Sequence, residues 1–301
     1  MKLISSLLSA VLFAGAAQAA DLKGGKAPAP AAPEAAGEVP GGDIFGFTSA
    51  PDVGNVGDKG LALENDGSYG RRDMRSRVLT QKLELSRTFA PNWSYAASLF
   101  GAWSSVKNST GDVANRTGYN FDGLSMEVRH RFIERSATNP FAFTFAIEPR
   151  WGRVDTVSGV NAASYGAEFK LQADRALSDK IFWAVNANFA TSRGRDAADG
   201  TWSNSSESVV SSALTYAVVD DKLFMGGEAR WNQAWSKGFF GKLDGQALFV
   251  GPTIAYKASE TVMLNAVFLP QIAGKARSVT GPFDIDNFER ANFRLKLAVG
   301  F

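Results

Sequence analysis

The C-terminal stretch ERANFRLKLAVGF, residues 289–301, decides the fold class, because two kinds of side chain alternate along it. Six apolar residues fall on one side of an extended chain: Ala291, Phe293, Leu295, Leu297, Val299 and Phe301. The residues between them are polar or small. Successive side chains of a β-strand point to opposite faces, so the pattern predicts a strand with one apolar face and one polar face.

The same alternation recurs from residue 60 onward, in segments of the length that membrane-spanning β-strands need. We predict strands near 60–69, 76–89, 93–103, 119–132, 141–151, 164–177, 181–192, 206–218, 223–232, 244–257, 262–269 and 288–301. Short turns that carry Asn, Asp, Ser or Pro alternate with longer polar stretches between them. The sequence therefore predicts an all-β fold, a closed antiparallel transmembrane β-barrel of about twelve strands, with short periplasmic turns and longer external loops.

Composition agrees with a barrel and excludes several other classes. Hydrophobic residues make up 45% of the chain while the mean hydropathy is only −0.11, so apolar and polar residues alternate instead of forming blocks. Because the chain has no cysteine, a disulfide framework and a thiolate metal site are excluded. We also expect no cofactor. The 32 basic residues nearly balance the 30 acidic ones, so nothing favours nucleic acid as a partner.

Aromatic residues give an independent indication of a membrane barrel. Three predicted strands end at their external side on an outward-facing tryptophan: Trp103, Trp151 and Trp231. Further rings lie near the predicted periplasmic turns: Phe89, Phe132, Trp183, Tyr216 and Tyr256. Amphipathic rings prefer the headgroup region of a bilayer, so this placement predicts two aromatic girdles. A soluble β-sandwich, whose strands also alternate, would not need them.

Charged residues collect on the opposite faces of the predicted strands. On the lipid side, each Arg or Lys near the bilayer midplane would cost about 2–4 kcal/mol, so we place these residues in the lumen. The candidate lumen-lining residues are Glu127, Arg129, Arg131, Glu148, Arg150, Glu168, Lys170, Glu228 and Arg230.

Two interpretations of this charged lumen stay open. The residues could line a water-filled pore and set its ion preference. They could also neutralise one another as cross-strand pairs, with Glu127 and Arg129 on one strand and Glu148 and Arg150 on the next. We favour a narrow passage over a plugged lumen because the lining is polar and contains many small residues. The mixed signs of charge indicate no preference for anions or cations.

Three segments precede the barrel, which we assign to residues 60–301. Residues 1–19 combine a basic start, an apolar stretch and the cleavage pattern Ala-Gln-Ala, which predicts a signal peptide. Residues 20–42 are rich in Ala and Pro and predict a periplasmic linker. Residues 43–59 are rich in Gly and Asp; they form either a periplasmic turn or a segment folded into the barrel mouth.

Catalysis is not expected. The single histidine, His130, lies on the outward face of its predicted strand, near a periplasmic turn and an aromatic girdle. There it is most simply an interfacial residue. The sequence has no G-x-S-x-G, H-E-x-x-H or phosphate-binding loop that would indicate a hydrolase or a nucleotide site.

The terminal strand and its final Phe301 resemble the closing strand of bacterial outer-membrane β-barrels, whose C-terminal aromatic residue is read by the barrel-assembly machinery. The chain is similar in architecture to porin-like channel proteins of Gram-negative bacteria. The resemblance implies residence in the cell outer membrane after cleavage of the signal peptide. Outer-membrane lipid and lipopolysaccharide would then be partners, with the basic residues Arg71, Arg72 and Arg75 of the first external loop as candidates to meet phosphate groups.

The predicted mature chain begins Ala20-Asp21 and continues into the Ala/Pro spacer, which resembles the N-termini of alphaproteobacterial outer-membrane barrels. In some of those proteins a transpeptidase couples the N-terminus to peptidoglycan, so the resemblance makes Ala20 a candidate attachment residue. Two functions are therefore expected. The first is a passive channel for small polar solutes or ions through the charged lumen. The alternative is a structural envelope protein with a blocked lumen that anchors the outer membrane to peptidoglycan.

Overall fold

The computed structural model describes residues 43–72, 74–109, 114–136, 138–196 and 199–301. The predicted signal peptide, residues 1–19, and the predicted linker, residues 20–42, lie outside the described residues. The candidate attachment residue Ala20 lies outside them as well.

Twelve β-strands build the described part of the chain. They are β1 (Lys59–Arg71), β2 (Met74–Ala90), β3 (Trp93–Lys107), β4 (Arg116–Ile133), β5 (Phe141–Asp155), β6 (Val160–Ala176), β7 (Ile181–Arg195), β8 (Trp202–Val219), β9 (Leu223–Ser236), β10 (Lys242–Ser259), β11 (Val262–Ala276) and β12 (Ala291–Gly300). Each strand pairs antiparallel with the next, and β1 pairs with β12, so the sheet closes into a barrel. The predicted fold class is confirmed.

The C-terminal stretch closes this barrel. Strand β12 pairs with β1 from Gly60 opposite Gly300 to Tyr69 opposite Ala291, and it pairs with β11 along its other edge. Phe301 continues the pairing, because its N–H donates to the Lys59 carbonyl at 3.0 Å. Closure leaves no sheet edge with unpaired backbone groups, which is the condition for a sheet in lipid.

The barrel has two distinct ends. The turn end carries the start of β1, the end of β12 and the connections 91–92, 134–140, 177–180, 220–222 and 260–261. The loop end carries the connections 72–73, 108–115, 156–159, 196–201, 237–241 and 277–290. The strands reach further toward the loop end than the alternation predicted, so these connections are shorter than expected. At the start of β8, for example, residues 202–208 read WSNSSES, where polar residues on both faces hide the apolar alternation.

The outer face of the barrel is apolar. Large side chains that face outward are exposed, among them Leu99, Met126, Leu171, Leu214, Met225 and Leu295. The rings of Phe132 and Trp231 are exposed on this face too, as predicted. His130 lies there with its ring centroid 4.2 Å from that of Trp93, so the predicted outward position of this histidine is correct. An apolar outer belt of this extent fits lipid surroundings rather than water. No helix within the described ranges is long and apolar enough to cross a membrane.

The inner face carries an apolar layer near the turn end, where small residues dominate. Ala62, Ala184, Ala213 and Ala255 are buried there, together with the larger Phe182, Phe224 and Met263. Small side chains on a barrel wall leave space in the lumen, and other residues must fill it. Ile44 and Phe45, which precede the barrel in sequence, pack into this layer.

Candidate functional site

Residues 43–53, which we call the lumen segment, lie inside the barrel. Ile44 and Phe45 are 0% exposed, Phe47 is 8% exposed and Val53 is 2% exposed. The apolar layer that Ile44 and Phe45 join belongs to the turn end. The lumen segment therefore fills the turn-end half of the lumen, where the sequence predicts a narrow passage.

Wall side chains hold the lumen segment by its carbonyl groups. The Thr144 hydroxyl donates to the Pro51 carbonyl at 2.6 Å, and the Asn265 amide donates to the carbonyl of Phe45. Arg129 donates to the Asp52 carbonyl at 3.1 Å, and Arg131 donates to the Val53 carbonyl at 2.8 Å. These donors come from strands β4, β5 and β11, so the segment is fastened to several sides of the wall.

Glu228 holds the lumen segment at a second type of group, its hydrogen-bond donors. The Phe47 N–H donates to this carboxylate at 2.9 Å, and the Thr48 hydroxyl donates to it at 2.8 Å. Gly46 approaches the same place so closely that a Cβ atom would lie 2.5 Å from Glu228 Oε2 and 2.6 Å from Val267 Cβ. Only glycine fits at residue 46 while the segment is seated.

The ring of Phe47 lies between two guanidinium groups. Arg230 stands 4.3 Å from the ring centroid and Arg294 stands 4.4 Å from it. A buried cation over an aromatic face is stabilised by the ring quadrupole, with about 0.5–2 kcal/mol for each contact. The ring of Phe47 therefore lies among charged residues of the wall.

The two acidic side chains of the lumen segment are paired with basic residues. The Asp43 carboxylate is 2.8 Å from the Lys296 ammonium, and Asp52 forms an ion pair with Arg135. Arg135 lies on the turn-end connection 134–140 and also pairs with Asp174. Burial alone would lower the pKa of Arg135, but the charges of Asp52 and Asp174 raise it above its ordinary value. Charge complementarity therefore holds both ends of the segment.

The connection 277–290 narrows the lumen from the loop end. Phe288 is buried in the same apolar cluster as Phe47, so the connection meets the lumen segment inside the barrel. Arg71 donates to the Asn287 carbonyl at 2.9 Å, and Arg72 pairs with Asp286. The predicted basic cluster therefore holds this connection with two of its members. Burial raises the pKa of Asp284, which accepts a hydrogen bond from the Asn287 N–H at 3.0 Å.

An ion-pair network covers the wall beside the lumen segment. Lys170 is its centre: the ammonium lies 2.7 Å from Glu127 and 3.7 Å from Glu168, and it also pairs with Glu148. Arg129 adds a contact of 2.9 Å to Glu127. Buried charges need partners of this kind, because an unpaired ion in a low-dielectric interior costs several kcal/mol.

The partners in this network differ from the predicted cross-strand pairs. Cross-strand pairing predicts Glu127 as the partner of Arg150, whereas Arg150 pairs with Asp122, which also lies on β4. The Arg150 guanidinium lies 4.0 Å from the centroid of the Phe100 ring. A β-bulge explains the difference. Phe100 is opposite Gly123 and Gly101 is opposite Phe121, so Asp122 is an extra residue without a partner in β3, and it is buried. Strict alternation cannot reveal such a residue.

The predicted lumen-lining residues are found in these places. Buried inside the barrel are Glu127, Arg129, Glu148, Arg150, Glu168, Lys170, Glu228 and Arg230. Arg131 is half-buried at the turn end and also contacts Glu134 at 2.8 Å. Phe301 is 59% exposed at the end of β12. Within the described ranges, no three His, Asp or Glu side chains are arranged to hold a metal ion.

A closed antiparallel barrel with an apolar outside and a charged inside defines the class: this is the fold of outer-membrane β-barrels. The model of a family of unknown function (DUF6662) matches residues 37–301, and the chain belongs to that family. No curated protein matches the sequence.

Solved structures share the fold at low sequence identity. An outer membrane channel from Pseudomonas putida F1 is 12% identical, with a TM-score of 0.59, over 83% of this chain and 98% of that chain. The β domain of the Bordetella autotransporter Brka is 13% identical, with a TM-score of 0.53, over 82% of this chain and 100% of that domain. At these identities the likeness establishes the fold alone.

Proposed function

We propose that the protein is a channel in the bacterial outer membrane that passes small polar solutes or ions, and that the lumen segment closes it. The turn end faces the periplasm and the loop end faces outward. The exposed apolar belt and its aromatic rings support the membrane placement, and the polar wall supports the passage. The channel works passively and carries out no chemical reaction.

One observation carries this proposal: the lumen segment is fastened by wall side chains, whereas the barrel strands are held by ladders of backbone hydrogen bonds. Side-chain contacts can break one set at a time without opening the sheet, so the segment can leave while the barrel stays closed. The wall that it would uncover carries donors and charges suited to a polar solute.

Single-channel recording of the refolded protein in a planar bilayer tests the proposal. Gly46→Val places side-chain atoms where Glu228 and Val267 already stand, so the segment cannot seat. Overpacking of this kind costs about 1–3 kcal/mol, which corresponds to roughly a five- to hundredfold shift toward the released segment. We expect rare openings in the wild-type protein and long openings in Gly46→Val.

Gly118→Val is the matched control, since nothing lies within 4 Å of a Cβ atom at Gly118. It should record like the wild-type protein. A Gly46→Val barrel that is folded and inserted but carries no current would contradict the channel.

The alternative function, a structural barrel that anchors the outer membrane to peptidoglycan, is favoured by the closure of the lumen from both ends. Attachment would occur through Ala20 at the start of the processed chain. Under this proposal, digests of purified cell wall contain the N-terminal peptide joined to a muropeptide. If that peptide is missing under every growth condition while the barrel is abundant, the anchor is excluded.

A further inference from the structure

The lumen segment has the chemistry of an anionic ligand. Its sequence, DIFGFTSAPDV at residues 43–53, carries two acidic side chains and no basic one. The wall residues that contact it are mostly cationic: Arg129, Arg131, Arg135, Arg230, Arg294 and Lys296. Glu228 is the acidic wall residue that is hydrogen-bonded to it. Release of the segment would uncover these basic side chains, two of which also have acidic partners on the wall: Glu64 lies 3.3 Å from Lys296 and Asp66 lies 2.7 Å from Arg294.

Arg230 shows most directly which contact the segment would leave open. It is 5% exposed and forms no salt bridge with any described residue. Its contact is the ring of Phe47, at 4.3 Å. The carboxylates of Glu228, Glu207 and Glu289 attract this cation. Release of the segment would remove the aromatic ring from one face of the guanidinium, and the ring of a ligand can take that place. Arg294 differs, because it keeps Asp66 at 2.7 Å whether or not Phe47 is present.

The spacing of the wall side chains determines which chemical groups a ligand at this site must have. Arg294 and Lys296 are two residues apart on the same face of β12, which places their Cα atoms about 7 Å apart along the strand. Lys296 holds the carboxylate of Asp43, and Arg294 with Arg230 holds the ring of Phe47. Glu228 accepts from a peptide N–H between these two contacts. A small molecule can make all three contacts: with Lys296, with the two guanidinium groups and with Glu228.

We infer that the site occupied by Asp43 and Phe47 binds small anionic solutes that combine a carboxylate, an amide N–H and an aromatic ring, as an N-acylated aromatic amino acid does. The carboxylate binds Lys296, the ring lies between Arg230 and Arg294, and the amide donates to Glu228. A solute reaches the site only after the segment leaves, so the inference rests on the proposed function. A solute with an amine in place of the carboxylate would be repelled by the cationic residues of the wall.

Calorimetric titration of the detergent-solubilised full chain tests the inference. The protein is Gly46→Val, and the probe is N-acetyl-L-phenylalanine. N-acetylglycine lacks the ring, and N-acetyl-L-phenylalaninamide lacks the charge. We expect the first probe to bind at least about tenfold more tightly than either of the others, because each of these loses one charged or cation–π contact. Equal binding of the three probes overturns the inference.

Arg230→Gln in the Gly46→Val background should weaken the binding of N-acetyl-L-phenylalanine by about tenfold, since one face of the ring loses its cation. Arg193→Gln is the matched control: this arginine lies 5.6 Å from the ring of Trp202, away from the lumen segment, and should change nothing. Unchanged binding in Arg230→Gln contradicts the assignment.

A second protein keeps the test decisive if the segment stays seated in Gly46→Val. The double variant Asp43→Asn, Phe47→Ala removes the two side chains that fill the carboxylate and ring positions and that hold the segment there, so the segment leaves and the variant should bind the same probe. Absence of binding in both proteins overturns the inference. Because binding is measured without current, a conducting variant that binds nothing refutes the ligand and leaves the channel intact.

Discussion

Phe47 is the residue on which the closure depends most. It joins Phe288 in the apolar cluster of the lumen and stands between Arg230 and Arg294. Loss of a buried phenylalanine ring costs about 3–5 kcal/mol in a protein core. The two cationic contacts add to this cost, because the guanidinium groups would face an empty space. No other side chain of the lumen segment combines both effects.

Phe47→Ala should therefore release the lumen segment. We expect backbone amides of residues 43–53 to exchange with deuterium much faster than in the wild-type protein, while the amides of the barrel strands keep their protection. Hydrogen-exchange mass spectrometry measures this directly. Phe239→Ala, at an exposed ring on the connection 237–241, is the control and should leave the exchange unchanged. Equal protection of residues 43–53 in Phe47→Ala and the wild-type protein would refute the role of the ring.

Arg129 and Arg131 face the released lumen from β4, since both now donate to carbonyls of the lumen segment. Changing both to Glu in the Gly46→Val background should move the ion preference toward cations, because four units of charge change along one wall. The reversal potential in a salt gradient measures the preference. The exterior substitution Arg193→Glu serves as the control. Identical reversal potentials with and without the two substitutions would exclude these arginines from the ion path.

At the scale of the elements, strand identity could be predicted and the position of the lumen segment could not. Strand β12 could be predicted because its residues alternate strictly: apolar side chains face the lipid, and polar or small ones face the lumen. Residues 43–53 have no periodicity, so their position depends on contacts with residues far away in sequence, such as Glu228 and Asn265. The paired acids of the segment and the basic wall are the one signal that could have indicated it.

The charged partners in the lumen show the same limit. Alternation places Glu148 and Arg150 on the inner face, and the structure agrees. Which charges meet depends on details that alternation does not contain, such as the bulge at Asp122. Lys170 reaches Glu127 from two strands away because long side chains cross a narrow lumen. Facing direction is a property of one strand, whereas pairing is a property of the closed barrel.

The connection 277–290 is held in place by Arg71, the last residue of strand β1. Arg71 binds the carbonyls of Asp286 and Asn287 at 3.2 and 2.9 Å and lies 3.6 Å from Glu289. Arg71→Gln should free this connection, so that added protease cleaves within 277–290 much faster. Mass spectrometry of the fragments locates the cut. Arg75→Gln, at an exposed neighbour, is the control. A cleavage rate equal to that of the wild-type protein would show that Arg71 does not hold the connection.

At the scale of the whole molecule, the fold of the barrel does not depend on the lumen segment that closes it. The strand ladders and the outer belt do not involve the lumen segment, so its release should leave the barrel folded. We expect Gly46→Val to keep the β-sheet circular dichroism and the heat-modifiable migration of the wild-type protein. Protease should nevertheless cut the released segment. Loss of the folded barrel in this variant would mean that the segment is part of the barrel core instead of its gate.

The central claim is that the lumen segment closes the channel and that its departure opens it. Ser49 is buried within the segment, and the chain has no native cysteine, so Ser49→Cys creates a single thiol in the closed lumen. The decisive measurement is bilayer current during treatment with a charged, water-soluble methanethiosulfonate. We predict that the thiol reacts only when the channel opens and that the current then stays high, because the modified segment can no longer seat. Complete modification with no change in current would contradict the claim.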